Sequence, residues 1–352
     1  TMLNKMKSRT TAMLSAWLRP RYNHDVNIRE ATETLKNIER YRGKTKNRNM
    51  KLCDEYAVKV LGHRHFAPWL YVYAALSGGF AAGWMPDNYY GSVVVPKLKG
   101  RYGILADLRA LNSVILESDG FPDILSYVNG IFFDTTYRFV SPDAVHETLF
   151  RNQDRVIFKR DSSLQGRGIY FFDRDSFSVD KVMQLGNGLF QRVITQHEVF
   201  TRFVRESVAT IRLTTVYEDT GHASVRGCFL RLGNEEETHV QSKSQIRVPI
   251  DVKSGAFHEV GYTAEWFETQ RHPTSKTKFI GNCIPAFNAC LNTVTALHQK
   301  VPYVRSVGWD VTVDREENIR LLEWNAAHNG VTFHEATQGP CFADLGWERL
   351  RQ

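Results

Sequence analysis

Ser306-Val307-Gly308-Trp309-Asp310-Val311-Thr312-Val313, then a polar stretch over 314–318, then Ile319-Arg320-Leu321-Leu322-Glu323-Trp324-Asn325-Ala326, carries the clearest pattern in the chain. Two β-branched and apolar runs around a polar turn read as an antiparallel hairpin. With residues 315–318 as a four-residue loop, Asp310 falls opposite Glu323, and Asn325 shares its face because strand side chains alternate. Two carboxylates facing each other repel, so a cation between them would make sense of the pair. All-oxygen ligation suits Mg²⁺ or Mn²⁺. The alternative is a half-exposed hairpin whose acidic residues face solvent, and the pattern alone leaves both open.

At 352 residues the chain exceeds one ordinary domain, so two or three lobes are expected. Its 42% hydrophobic and 24% charged residues are those of a globular protein and exclude a disordered chain. A net charge of +7 points to an anionic partner: a nucleotide, an acidic sugar, a nucleic acid or a lipid headgroup. The five cysteines lack CxxC spacing, so neither a disulfide framework nor a zinc site is expected, and a cytoplasmic location fits.

Much of the positive excess lies in residues 1–50, among them Lys5, Lys7, Arg9, Arg19, Arg21, Arg40, Arg42, Lys44, Lys46 and Arg48. With Met2, Leu3, Met6, Trp17 and Leu18 interleaved, this segment reads either as a contact with an anionic inner-membrane surface or as a basic helix packed on its own protein. No uninterrupted apolar run follows the early basic residues, so no signal peptide is expected. The uncharged stretch 66–84 is nearly long enough to span a bilayer, but Pro68, Ser77, Gly78, Gly79 and Gly83 interrupt it, and it reads as a buried helix and turn. Residues 87–91 read as a turn, 92–96 as a short strand and 104–118 as a helix.

Val156-Ile157-Phe158-Lys159 reads as a strand, followed by a polar glycine loop over 160–168 and the strand Ile169-Tyr170-Phe171-Phe172. A strand lysine, a Ser/Gly flap and a second strand can hold a triphosphate, the ammonium on phosphate oxygens and glycine letting backbone N–H groups approach. The stretch is neither a Walker loop nor a dinucleotide fingerprint, and a plain hairpin turn is the competing reading. Leu189-Phe190-Gln191-Arg192-Val193-Ile194 could pair its backbone with an adenine edge. Arg212, Arg226 and Arg231 stand at strand positions among apolar neighbours, where each needs an anion or a structural carboxylate.

In this order the pieces resemble the ATP-grasp superfamily, and within it the sugar-transfer-associated branch, across roughly residues 50–340. The resemblance rests on Phe158-Lys159 with Ser162, Ser163, Gly166 and Gly168; on residues 191–197; on Thr210-Ile211-Arg212; on Leu230-Arg231-Leu232-Gly233; on Val307-Gly308-Trp309-Asp310; and on Leu322-Glu323-Trp324-Asn325. It implies an α+β fold in which two α/β lobes grip ATP: a mostly helical region to residue 100, a small lobe over 101–190 and a large lobe over 191–352. Lys159, Arg212 and Arg231 would be the catalytic cations. Ser162, Ser163, Gly166 and Gly168 would cover the phosphates, Gln191, Arg192, Val193 and Ile194 would form the adenine hinge, and Glu198 would meet the ribose. Asp310, Glu323 and Asn325 would hold Mg²⁺ or Mn²⁺.

The resemblance also implies a ligase that activates a carboxylate as an acylphosphate for attack by an amine. Its substrates would be a small-molecule or lipid-linked sugar, such as a uronic acid, and an amino acid or amine, in surface polysaccharide synthesis. Two departures stand out. Gln191 occupies a position where many relatives carry glutamate, and the loop after Gly233 lacks the branch's usual Asp-Asn pair and Gly-Gly turn. That loop instead offers His239 and Lys243, followed by Arg247, as cations for an acidic acceptor. A phosphoryl transfer to a hydroxyl and an ATP-binding scaffold without turnover are the competing readings. Nucleic acid is not an expected partner, since it leaves the paired acidic residues unexplained.

Overall fold

In a computed structural model, residues 24–161, 168–234, 239–241 and 244–351 are described. Ser162, Ser163, Gly166 and Lys243 lie outside them, as do residues 1–23 of the basic segment. The chain divides into two units. One comprises the residues up to Gly100 with Glu265–Phe267 and those from Gly330 on; the other comprises Arg101–Ala264 and Glu268–Asn329.

The first unit is helical. After a helix over 24–42, Asn47–Lys59 packs against Ala67–Ser77, the latter lying inside the expected apolar stretch. The helix breakers of that stretch turn out to bound the helix. Pro68 sits in its first turn, where the missing N–H is not needed, and Gly78 adopts φ +80° as its cap and donates its N–H to the Ala74 carbonyl. No helix among the described residues is long and apolar enough to cross a membrane.

Residues 87–98 correct two expectations. Instead of a turn and a strand, Asp87–Tyr89, Tyr90–Val94 and Val95–Leu98 continue as helical turns. The Val93-Val94-Val95 run suggests a strand, but Tyr90 and Val94 are both buried four residues apart, so one helical face meets the core. Pro96 falls in the first turn of the last of these helices, where it is tolerated.

The expected lobe over 191–352 is also corrected, because residues from Gly330 on belong with the helical unit. The helix Thr332–Gln338 packs on Ala67–Ser77. Its buried Glu335 accepts the Met85 N–H at 2.6 Å, and the Glu335 carbonyl accepts the Trp84 indole N–H at 3.0 Å.

The second unit holds two sheets. The strands are β1 (Asp123–Val128), β2 (Ile131–Asp134), β3 (Phe139–Val140), β4 (Arg155–Arg160), β5 (Ile169–Asp173), β6 (Gly188–Arg192), β7 (Thr210–Tyr217), β8 (Ala223–Leu232), β9 (Ile246–Pro249), β10 (Gly261–Tyr262), β11 (Glu268–Thr269), β12 (Ser306–Val313) and β13 (Ile319–Asn325). The first sheet runs β3-β2-β1-β6-β4-β5 and the second β11-β10-β9-β8-β7-β12-β13. The stretch 104–118 is less regular than a single helix: Tyr102–Asp107 and Arg109–Leu111 are 3₁₀ turns and Asn112–Leu116 is a short α-helix.

Alternation along β7, β8 and β12 sends Ile211, Leu213, Leu230, Leu232, Trp309 and Val311 into one core with the helix Phe287–Gln299. Trp309 and Trp324 stack there with ring centroids 6.0 Å apart, and the Trp324 indole N–H donates to Asn112 at 2.8 Å. Side chains on the opposite face of that sheet are left to other work.

In the helical unit, the His65 ring lies 4.1 Å from that of His24 and 3.9 Å from that of His63, centroid to centroid. Burial, followed by the nearness of His24, His63 and Arg351, pushes His65 down to about 4. The unfolded residue titrates near ~6.5. Stability from neutral His65 is therefore whole above that value and lost as the pH falls from there through about 4. Melting temperatures at pH 7 and pH 5 should fall further for the wild type than for His65→Phe, and equal falls would clear His65 of the effect.

Candidate functional site

The β12–β13 register sets Asp310 opposite Glu323 and Gly308 opposite Asn325. The route differs from the simple hairpin. The turn takes five residues, since Val313 pairs with Ile319, and a β-bulge then leaves Leu322 unpaired between Leu321, opposite Val311, and Glu323, opposite Asp310. The extra turn residue and the extra strand residue offset each other. The bulge also turns the strand over: Leu321 enters the core, while Glu323 and Asn325 face away from it.

The same face of the second sheet collects charged residues by cross-strand pairing. Asp310 lies beside Arg212 of β7, Arg212 beside Phe229 of β8, and Arg231, two residues on and so on the same face, beside Arg247 of β9. Arg212 grips Asp310 with two hydrogen bonds, Nε to Oδ1 at 2.5 Å and Nη2 to Oδ2 at 2.9 Å. Its third nitrogen donates to the Asn329 carbonyl at 3.0 Å. Arg231 approaches Asp310 Oδ2 at 3.5 Å and donates through Nε to Gln245 at 2.7 Å.

Burial by itself would raise the Asp310 carboxyl, but Arg212 and then Arg231 outweigh it and hold the group below the usual carboxylate range. Burial likewise works against the Arg212 charge, and Asp310 more than restores it, whereas burial prevails at Arg231 and lowers it. Gly308 belongs to this packing, because a Cβ there would stand 2.9 Å from the Asn329 Cβ and 3.4 Å from Arg212 Nη1.

The first sheet contributes from its own side. Lys159, near the end of β4, donates to the carbonyl of the bulged Leu322 at 3.2 Å. Burial lowers the Lys159 ammonium below the ordinary lysine range; Glu323 pulls it partly back, and Arg109 pushes it further down. Arg109 is a residue the sequence reading missed. Its Nη2 meets Glu323 Oε1 at 3.0 Å and its Nη1 donates to the Arg160 carbonyl at 2.6 Å, so it ties the end of β4 to β13. In the sequence it is one arginine in the apolar run Leu108-Arg109-Ala110-Leu111, which nothing local distinguishes from a helix-surface residue.

Lys159, Arg109, Arg212, Arg231, Asp310 and Glu323 thus gather in one cluster, with Asn325 donating to the Gly308 carbonyl at 3.3 Å beside them. Among these described residues four cations meet two carboxylates, a balance that suits a polyanion. Two opposed carboxylates and a carboxamide are also hard oxygen donors of the kind Mg²⁺ takes. No three His, Cys, Asp or Glu side chains among the described residues are grouped to hold a metal. Any ion here therefore needs Asn325 or a ligand's oxygens as well as Asp310 and Glu323.

The remaining expected residues fall elsewhere. Gly168 has φ +90°, a backbone that suits glycine, and its carbonyl accepts the Arg160 N–H at 2.9 Å, next to the pairing of Lys159 with Ile169. Gln191 is buried mid-sheet between β1 and β4, and its side chain donates to Asp123 at 2.7 Å. Burial raises Asp123 to about 6, against the pull of that hydrogen bond. Arg192 and Val193 are exposed and Ile194 is half-buried at the end of β6. Glu198 opens the short helix Glu198–Thr201 and pairs with Arg202 at 3.4 Å.

His239 lies in the loop between β8 and β9. Arg247 donates to the carbonyls of Thr263 and Ala264 at 3.1 and 3.4 Å. Arg226 is not part of the cluster: it pairs with Glu218 at 2.6 Å, the structural carboxylate that a strand arginine among apolar neighbours calls for.

Comparison with curated proteins gives no match. Among solved structures the chain is similar to the ATP-grasp ligase PsnB complexed with minimal precursor, at 15% identity and TM-score 0.40, covering 71% of this chain and 64% of that one. It is also similar to the biotin carboxylase domain of the Hydrogenobacter thermophilus 2-oxoglutarate carboxylase with MgADP, ADP and bicarbonate, at 12% identity and TM-score 0.41, covering 86% and 56%. A third is N5-carboxyaminoimidazole synthetase from Staphylococcus aureus, at 8% identity and TM-score 0.39, covering 68% and 50%. The chain spans less than two thirds of the length of each. Residues 177–345, which carry β6 to β13, match the family described as sugar-transfer associated ATP-grasp.

Proposed function

We propose that the chain is an ATP-dependent ligase that joins a carboxylate to an amine, acting on a sugar or uronic acid in surface polysaccharide synthesis. The observation that carries this reading is the cluster itself: Lys159 and Arg109 from one side, Arg212 and Arg231 from the other, around Asp310 and Glu323. The description of the matched family supports the sugar. The lobes follow as residues 101–190 and 191–329, with the hinge at Gln191–Ile194 and the ribose at Glu198.

In the first step an oxygen of the substrate carboxylate attacks the terminal phosphorus of ATP, and ADP leaves with the electron pair of the broken P–O bond. In the second step the amine attacks the acyl carbon, inorganic phosphate leaves, the amide forms and the amine sheds its proton to solvent. No side chain forms a covalent bond. Lys159, Arg109, Arg212 and Arg231 offset the charge on the transferring phosphoryl group, the main demand of such chemistry. Mg²⁺ held by Asp310, Glu323 and Asn325 would supply a Lewis acid for the same oxygens.

Arg247 stands opposite Arg231 on that sheet face, which favours an acidic acceptor there, and His239 and Lys243 as further cations for it belong to the same proposal. A lipid-linked substrate and an inner-membrane surface contact through residues 1–50 belong to the same proposal, as do the 162, 163 and 166 positions over the phosphates. The direct test is ADP release against panels of uronic acids, amino sugars and amino acids, where release with none of them would remove the ligase reading.

Two variants probe the cluster. Lys159→Met removes a point charge from a half-buried position and should weaken binding of a non-hydrolysable ATP analogue by about tenfold or more, since a charge-assisted hydrogen bond contributes ~1.5–3 kcal/mol. Calorimetry reads this, and unchanged affinity would make Lys159 an ordinary strand-end lysine. Asp310→Asn leaves the Arg212 and Arg231 guanidiniums buried without their carboxylate, so denaturant unfolding should show a loss of ~3–5 kcal/mol. A loss below ~1 kcal/mol would mean that the pair is dispensable to the sheet.

A further inference from the structure

The first sheet also has two unlike faces. Leu125, Val156, Phe158 and Phe190 enter its core, whereas Lys159, Gln191 and Asp123 lie on the other face. A register shift between Asp123 and Leu125 lets β1 serve both: Leu125 pairs with the core residue Phe190, and Asp123 with Gln191. Gln191 is mid-sheet between β1 and β4, so what it offers above that face is its side chain. Both residues are buried, and Gln191 Nε2 donates to Asp123 Oδ1 at 2.7 Å. Among the described residues no other hydrogen bond reaches either side chain.

A carboxamide has a donor end and an acceptor end that can exchange places, whereas an ionised carboxylate only accepts. Burial raises Asp123 to about 6, which leaves it mostly ionised at neutral pH. The Gln191 amide therefore has one orientation, Nε2 toward Asp123 and Oε1 away from it. We infer that Asp123 is a positioning residue for base selection: by holding the Gln191 amide it leaves Oε1 as a fixed acceptor, so that the nucleotide site takes a 6-amino purine and rejects a 6-oxo purine. The inference rests on the proposed nucleotide reading, in which Gln191 borders the base. A 6-amino group donates to Oε1, while a 6-oxo group sets oxygen against oxygen and leaves both unpaired. The glutamine itself follows from the pair, because a glutamate at 191 would set two buried carboxylates against each other.

The test is calorimetry on the full chain with non-hydrolysable analogues of ATP and of inosine triphosphate, whose purines carry 6-amino and 6-oxo groups. Inorganic tripolyphosphate serves as the probe without a base, and thermal melts check that each variant is folded. The wild type should prefer the ATP analogue by at least about tenfold. Asp123→Asn lets the amides turn, and Gln191→Met removes the acceptor, so either should bring the two affinities within about threefold of each other. Asp123→Asn combined with Gln191→Glu makes a one-way pair again, the asparagine donating and a carboxylate oxygen left as acceptor, and should restore the preference. A purely structural role would weaken both analogues alike and leave their ratio unchanged. A wild type without preference, single variants that keep it, or a double variant that fails to regain it would each overturn the role of Asp123. A wild type that binds neither analogue nor tripolyphosphate would instead overturn the nucleotide-site reading itself.

Discussion

The second sheet of the larger unit is organised around one ion pair, Arg212 with Asp310, formed between neighbouring strands with almost no exposure to solvent: 12% of the arginine side chain and 6% of the aspartate. A buried pair of this kind returns little net stability, since desolvating two charges consumes most of their attraction. What it does is restrict. With both carboxylate oxygens taken and the third guanidinium nitrogen on the Asn329 carbonyl, β7 and β12 have one register, and a charge stays where a sheet would otherwise carry an apolar or solvated side chain. Gly308, the absence of a side chain beside them, is part of the same constraint.

From that pair the division of labour between the two sheet faces follows. One face carries Ile211, Leu213, Leu230, Trp309 and Val311 into the core, and the other carries Arg212, Arg231, Arg247 and Asp310. Hydrophobic burial on one face supplies stability that offsets the cost of gathering charged side chains on the other. Lys159 and Arg109 then bring the first sheet and the 3₁₀ segment to that face through hydrogen bonds to Leu322, Glu323 and Arg160.

The hairpin with its opposed Asp310 and Glu323 was legible because alternation and a polar turn are local signals. Their pairing was nevertheless reached through a four-residue turn, where the chain uses five residues and a bulge, and nothing local marks Leu322 as the unpaired one. Arg109 and Asp123 were not legible. Each acts through a partner far away in sequence, Glu323 and Gln191, and period counting carries no information about such contacts. The helical course of residues 87–98 was hidden by β-branched valines whose burial is decided by tertiary packing. The return of residues from Gly330 on to the helical unit depends on Glu335 finding the Met85 N–H, which again is a long-range matter.

The bulge at Leu322 acts on β13 as a phase shift acts on a wave. Before it, odd-numbered Leu321 points to the core; after it, even-numbered Trp324 does, and the odd positions Glu323 and Asn325 are released to the other face. A strand without that shift would have to choose between a buried leucine and a glutamate facing the charged side two residues later. Because the two halves are out of phase, selection can tune residues 319–321 for packing without changing the aim of residues 323–325. The hairpin is thus two independently adjustable modules on one continuous strand.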